Sequence, residues 1–180
     1  MMASSSDIQS KSAPSLPGSA VSLSYEALRR FRLIFSAVQQ HSQLVESSLG
    51  VSSAQLWALW EMENNPGLKV TELARAMSLH QSTASNLLIK LEKKGLIRRE
   101  RSSSDQRVVH LHLTDSGLEL VATAPGPKRG LLQQALFELP DSVLVTLTEC
   151  LDALVAEMHL GDDEAGMQPL LSDTQHRRPT

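Results

Sequence analysis

Residues 71–117 read TELARAMSLHQSTASNLLIKLEKKGLIRRERSSSDQRVVHLHLTDSG, and this stretch decides the fold of the chain. A short helix is predicted over residues 71–77, and residues 78–80 then form a tight turn. A second helix is predicted over about residues 81–94. It ends at Gly95, because glycine readily adopts the left-handed conformation that follows many helices.

The pattern changes after this second helix, where two short strands are predicted. The first covers residues 97–101 and the second residues 108–113, in which apolar and histidine side chains alternate. The link over residues 102–106 is polar and turn-prone, so the two strands form a hairpin. Together these elements predict a mainly α chain with a small β-hairpin wing, a winged helix-turn-helix over about residues 54–114.

Helices are also predicted on both sides of this unit. They cover about residues 24–48 and 115–160, where apolar side chains recur three and four residues apart. The last of them carries a leucine stripe longer than one small lobe can cover, which predicts a helical dimerisation lobe and a homodimer. A single domain over residues 23–160 is therefore expected, with disordered tails over residues 1–22 and 161–180.

The segment Pro125-Gly126-Pro127 interrupts the helical pattern of this last region. Proline removes a backbone hydrogen bond and clashes with the preceding turn, so a kink or non-helical break is predicted near residues 124–128. The break is either a fixed bend or a hinge. Lys128 and Arg129 beside it are expected to pair with acidic residues of the last helix.

The composition limits the class of protein. Of the 180 residues, 41% are hydrophobic and 3% aromatic, a balance that favours helices over an all-β fold. No apolar run approaches the ~20 residues that span a bilayer, and no secretory signal is evident at the N-terminus. Cys150 is the single cysteine, so a cytoplasmic protein without an internal disulfide is expected.

The net charge of −3 conceals an uneven distribution. Residues 69–110 contain nine basic and four acidic side chains, whereas residues 133–180 contain nine acidic and two basic ones. A basic middle indicates a local surface for a polyanion, although uneven charge on a solvated surface is the alternative.

The second helix of the turn has two distinct faces. Its core face is apolar and consists of Ala84, Leu87, Leu88 and Leu91. The other face carries small hydroxyls, two amides and one lysine: Gln81, Ser82, Thr83, Ser85, Asn86 and Lys90. Such a face suits the DNA major groove, because hydroxyls and lysine contact phosphates while amides bond adenine edges. Arg98 and Arg101 of the hairpin are further candidates for DNA contact.

In this order and spacing, five short motifs resemble the MarR family of transcription regulators. They are TELA at residues 71–74, STAS at 82–85, LEKKGLI at 91–97, DQR at 105–107 and LTDSG at 113–117. The resemblance implies a homodimer that binds a palindromic operator, usually as a repressor, and is released by a small molecule or by oxidation. It also implies that Arg107 enters the minor groove and that Asp105 orients it. A surface ion pair that shapes the turn is the alternative for these two residues.

The chain departs from the family pattern at two places. Gln81 and Asn86 are neutral amides where the family often has a basic residue. The wing is therefore expected to supply most of the electrostatic attraction to DNA. The break at residues 125–127 falls where the family usually has one long helix.

The resemblance also implies a pocket for a small aromatic or phenolic effector. Trp57 and Trp60 belong to the core or wall this pocket, and Arg29 and His41 are candidates to meet a carboxylate in it.

A few residues and motifs bear on other kinds of site or function. His110 and His112 share one strand face, but further zinc ligands are not evident, so packing is favoured over a metal site. Cys150 is expected to be a buried thiol, with a redox-responsive regulator as the alternative. No motif of an enzyme or a cofactor site is recognised. A protein-interaction module that reuses a winged helix remains a further alternative.

Overall fold

The computed structural model describes residues 18–101, 109–160 and 163–171. It contains two strands among helices of very different lengths. The elements, in chain order, are α1 (Gly18–Leu49), α2 (Ser53–Asn64), α3 (Val70–Ala76), α4 (Gln81–Lys93), β1 (Ile97–Arg101), β2 (Val109–Leu113), α5 (Asp115–Thr123), α6 (Leu131–Glu138), α7 (Asp141–Glu157) and α8 (Asp163–Gly166). The mainly α fold with a two-stranded hairpin was predicted correctly.

The chain divides into two compact units, Met1–Phe35 and Ser36–Thr180. The single domain expected over residues 23–160 includes parts of both units. The core of the second unit is built mainly from α2, α3, α4 and the hairpin. Its largest fully buried apolar side chains are Val45, Val51, Leu56, Leu59, Met62, Leu73, Leu88, Leu91, Leu111 and Val121. Removal of this apolar surface from water, at roughly 25 cal/mol per Å², stabilises the helix-turn-helix unit.

The hairpin is antiparallel, with Ile97 opposite Leu113 and Arg101 opposite Val109. Its second strand also bonds to the loop before α3. The Leu111 N–H donates to the Leu68 carbonyl oxygen at 2.9 Å, and the Gly67 N–H donates to the Leu111 carbonyl oxygen at 3.2 Å. The base of the wing is therefore fixed to the helix-turn-helix on two sides.

The predicted break is confirmed, since α5 ends at Thr123 and α6 begins at Leu131. The partners expected for the two basic residues beside it were wrong. Lys128 Nζ lies 3.9 Å from Glu63 and an Arg129 nitrogen 3.7 Å from Glu61, both acids of α2 and not of the last helix. The reason is that α5 packs against α2, which brings the linker after α5 next to the acids of α2.

Two helices extend into the segments predicted as tails. α1 begins at Gly18. Near its start the Ser24 hydroxyl also donates to the Ala20 carbonyl oxygen at 2.9 Å. Residues 163–166 are helical, and the Met167 carbonyl oxygen accepts a hydrogen bond from the His80 N–H at 3.3 Å. Residues 1–17 and 172–180 lie outside the described part of the chain.

Cys150 is exposed, so the prediction of a buried thiol was wrong. It lies on α7, none of whose residues is buried within the described chain. Because the described residues bury no part of α7 completely, apolar positions such as Cys150 are left open to solvent.

Candidate nucleic-acid interface

The two faces of α4 are arranged as the sequence predicts. Ala84, Leu87, Leu88 and Leu91 are buried in the core. On the opposite side Gln81, Ser82, Asn86 and Lys90 are exposed, while Thr83 and Ser85 are half-buried. The buried face fixes the rotation of the helix, so the polar side chains are held outward together.

The turn before α4 sets the angle at which this helix leaves α3. Ser78 adopts a left-handed φ of 52°, and the Leu79 N–H donates to the Ala74 carbonyl oxygen at 2.8 Å. His80 in an extended conformation then precedes the first turn of α4. Backbone N–H groups at a helix N-terminus carry partial positive charge, which favours phosphate groups.

The hairpin adds basic side chains beside α4. Arg98 and Arg101 are exposed on β1. The Arg98 guanidinium lies 3.1 Å from Glu100, but both side chains are about 60% exposed, so the pair is weak and easily exchanged for a phosphate. Arg99 instead forms an ion pair with α4, in which its Nε lies 3.2 Å from a carboxylate oxygen of Glu92. Asp105 and Arg107, the expected minor-groove pair, lie outside the described residues.

Comparison with known proteins identifies this arrangement. The MarR family model matches residues 51–109. An organic hydroperoxide resistance transcriptional regulator of Bacillus subtilis is 37% identical over 101 residues, which cover 53% of this chain and 67% of that protein. The chain belongs to the MarR family. The match nearly coincides with the predicted winged helix-turn-helix over residues 54–114.

Two further relatives of this MarR-family chain carry informative names. The transcriptional repressor MdtR of Bacillus subtilis is 36% identical over 84 residues, or 47% of this chain and 54% of MdtR. The crystal structure of the S. aureus MepR-DNA complex superimposes with a TM-score of 0.52 at 25% identity, covering 74% of this chain and 97% of MepR. The chain thus spans about half the length of the curated relatives it matches first. These relatives are transcription regulators, as expected for a chain predicted not to be an enzyme.

Two adjoining cavities lie behind the helix-turn-helix of the second unit. The larger, of about 480 Å³, is mostly apolar and lies between α2, the α3–α4 turn, α6, the start of α7 and residues 166–170. The smaller, of about 50 Å³, shares the Trp57 wall and adds His41. His41 Nε2 lies 3.1 Å from the Pro127 carbonyl oxygen. The structure therefore brings together two of the four predicted effector residues.

The other two effector candidates are placed differently. Arg29 belongs to the first unit and forms a hydrogen-bonded ion pair with Glu26 at 3.3 Å. Trp60 lines neither cavity and instead stacks under the Arg129 guanidinium, 4.6 Å from the ring centroid.

Arg129, for which the sequence predicted the wrong ion-pair partner, lies among aromatic and acidic side chains. Its guanidinium lies 4.1 Å from the Phe137 ring centroid and 3.7 Å from the Glu61 carboxylate, which also accepts the Trp57 indole N–H at 2.8 Å. Arg129 Nε has no hydrogen-bond partner in the described part of the chain, and the residue lines the smaller cavity. The Arg129 guanidinium therefore lies against the Trp60 and Phe137 rings, and its Nε–H remains without a hydrogen-bond acceptor among the described residues.

Other predicted sites find a simple structural role. His110 Nδ1 lies 2.8 Å from the Gly67 carbonyl oxygen, so it fixes the wing. Within the described ranges no group of three or more His, Cys, Asp or Glu side chains is placed to hold a metal ion. Among the helices described, none is both long and apolar enough to cross a membrane.

Proposed function

We propose that this protein is a sequence-specific DNA-binding transcription regulator, a cytoplasmic repressor that binds a palindromic operator as a homodimer. The observation that carries the proposal is the outward polar face of α4, held over a fully buried apolar face and flanked by the basic hairpin. The repressor name of MdtR and the DNA in the MepR complex support it.

Each group on α4 has a distinct role in the proposal. Gln81 and Asn86 bond adenine edges in the major groove, because an amide presents one donor and one acceptor to the adenine edge. Ser82, Thr83, Ser85 and Lys90 contact phosphates and set the position of the helix. Arg98 and Arg101 contact the backbone beside the wing, while Arg107, oriented by Asp105, enters the minor groove.

The homodimer is supported by helix α7, none of whose residues is buried among those that the structure describes. Its apolar side chains stay substantially exposed, with Leu151 and Leu154 both at 39% and Val155 at 44%. α1 also exposes large apolar side chains, among them Phe35 at 56%. Two copies that bury these faces would place two α4 helices on successive half-sites, about 34 Å apart.

The effector in this proposal is a small aromatic or phenolic acid bound in the larger cavity. Its volume of about 480 Å³ lies within the usual range for small-molecule sites. Trp57 and Phe137 supply aromatic walls, and Arg129, which contacts Phe137, supplies the nearby cation for a carboxylate. The effector releases the protein from DNA.

The test is selection of bound sequences from random duplex DNA, followed by affinity measurements at several salt concentrations. Wild type should select a palindrome. Asn86→Ala should lose preference at one position of each half-site, at a cost of about 1–3 kcal/mol for that base. Asn64→Ala, which alters an exposed asparagine of α2, should select the wild-type motif. If wild type selects no motif at all, the proposed function is wrong.

A further inference from the structure

The C-terminal segment over residues 166–171 lies on the N-terminal end of α4. The His80 N–H, at the start of the helix, donates to the Met167 carbonyl oxygen at 3.3 Å. One turn further on, Thr83 Oγ1 donates to Gln168 Oε1 at 3.1 Å. Two hydrogen bonds therefore hold this segment against the first turn of the recognition helix.

Apolar contacts extend the same docking surface. Gln168, Pro169 and Leu171 line a groove of about 160 Å³ together with Asn86 and Lys90 of α4. Pro169 and Leu171 are half-buried there. The segment thus lies beside side chains on three successive turns of α4, at positions 83, 86 and 90, and it bonds directly to Thr83.

These side chains are among those assigned to DNA. A phosphate cannot reach Thr83 while Gln168 holds its hydroxyl, and a duplex approaching this side of α4 would meet Gln168, Pro169 and Leu171, which line the groove.

We propose that residues 166–171 form an autoinhibitory segment, which competes with operator DNA for the recognition helix α4. This inference rests on the proposed function. The docked chain is the form that does not bind DNA, and DNA binds after the segment has left α4. The observed affinity for DNA is then the intrinsic affinity reduced by the fraction of undocked chains.

The size of the effect follows from the contacts. The two hydrogen bonds and the small apolar contact are largely offset by the entropy lost when the segment is ordered, so docking is weak and reversible. Release of the segment should raise DNA affinity by about three- to tenfold.

The test uses full-length protein with two charge-neutral changes, Gln168→Ala and Leu171→Ala, so that the net charge of the segment is unchanged. Kd for the selected duplex is measured by fluorescence anisotropy. The double variant should bind about three- to tenfold more tightly than wild type. The control Ala165→Ser, at an exposed position beside the segment, should bind as wild type does.

A second measurement follows the segment itself. The backbone amides of residues 167, 168, 170 and 171 should exchange with deuterium faster when wild type is saturated with the duplex, because DNA displaces the segment. Equal Kd for wild type and the double variant, or unchanged exchange on DNA binding, would overturn autoinhibition alone. Absence of DNA binding in wild type and in every variant would overturn the proposed function as well.

Discussion

Gly117, in the first turn of α5, lies so close to the carbonyl oxygen of Leu96 that a β-carbon at Gly117 would be 2.1 Å from it. Thr114 completes this junction. Its Oγ1 donates to the Gly95 carbonyl oxygen at 2.7 Å and accepts from the Gly117 N–H at 3.1 Å. The junction joins the end of α4, the hairpin and the start of α5, so it fixes the wing relative to the recognition helix.

Gly117→Ala should destabilise the fold by about 1–3 kcal/mol, because the added methyl group meets backbone that cannot move without shifting the hairpin. Urea unfolding measures the change. Gly166→Ala is the matched control, since a β-carbon there has no neighbour within 4 Å. Equal stability of the two variants would show that α5 moves away from Leu96 at little cost.

Arg129→Ala should destabilise the protein by about 2–4 kcal/mol, because it leaves the Glu61 carboxylate buried without its cation. It also removes the cation from two aromatic rings. Thermal or urea unfolding tests this, and the double variant with Glu61→Gln should recover part of the loss. Arg30→Ala is the control, because its ion pair with Glu26 is exposed and should contribute under about 1 kcal/mol.

Glu72 makes folding stability depend on acid pH. Its carboxylate accepts the Lys69 backbone N–H at 2.9 Å, and this bond, helped by the Lys69 ammonium, lowers the pKa of Glu72. A lowered pKa in the folded state stabilises the fold above the unfolded value of about 4.3. That contribution is lost as pH falls through the folded pKa.

Glu72→Gln should therefore show a smaller loss of stability than wild type between about pH 6 and pH 3. Urea unfolding across this range measures it. The charge-matched control is Glu119→Gln, at an exposed position of α5, which leaves the bond to Lys69 in place. A wild-type acid slope in Glu72→Gln would mean that the bond does not persist in solution.

The wing prediction concerns Arg107, outside the described residues. Arg107→Ala should weaken binding to the selected operator by about 1–3 kcal/mol, as for loss of one good specific contact, without lowering the melting temperature. Arg32→Ala removes the same charge from an exposed position of α1 and should leave affinity near wild type. Unchanged affinity of Arg107→Ala at physiological salt would refute the minor-groove role.

Leu151→Asp with Leu154→Asp should convert the proposed dimer to a monomer, because burying two carboxylates in an apolar interface is strongly unfavourable. Sedimentation at micromolar concentration measures the mass. Thr146→Asp adds one charge at another exposed position of α7 and should remain dimeric. A wild-type protein that sediments as a monomer would contradict the dimer itself.

The sequence by itself determined the elements and the two faces of α4. Apolar spacing is a local property, so the burial of Ala84, Leu87, Leu88 and Leu91 could be predicted without a structure. Turn chemistry is equally local, as Gly95 with a φ of +70° and the break after Thr123 show.

Only the tertiary structure decided which distant groups meet. Arg129 pairs with Glu61 because α5 packs on α2, and no periodicity encodes that choice of partner. The docking of Gln168 on Thr83 joins residues 85 positions apart in a segment that composition alone marks as disordered. A few hydrogen bonds and apolar contacts, available only once the second unit has folded, offset the entropy of ordering that segment.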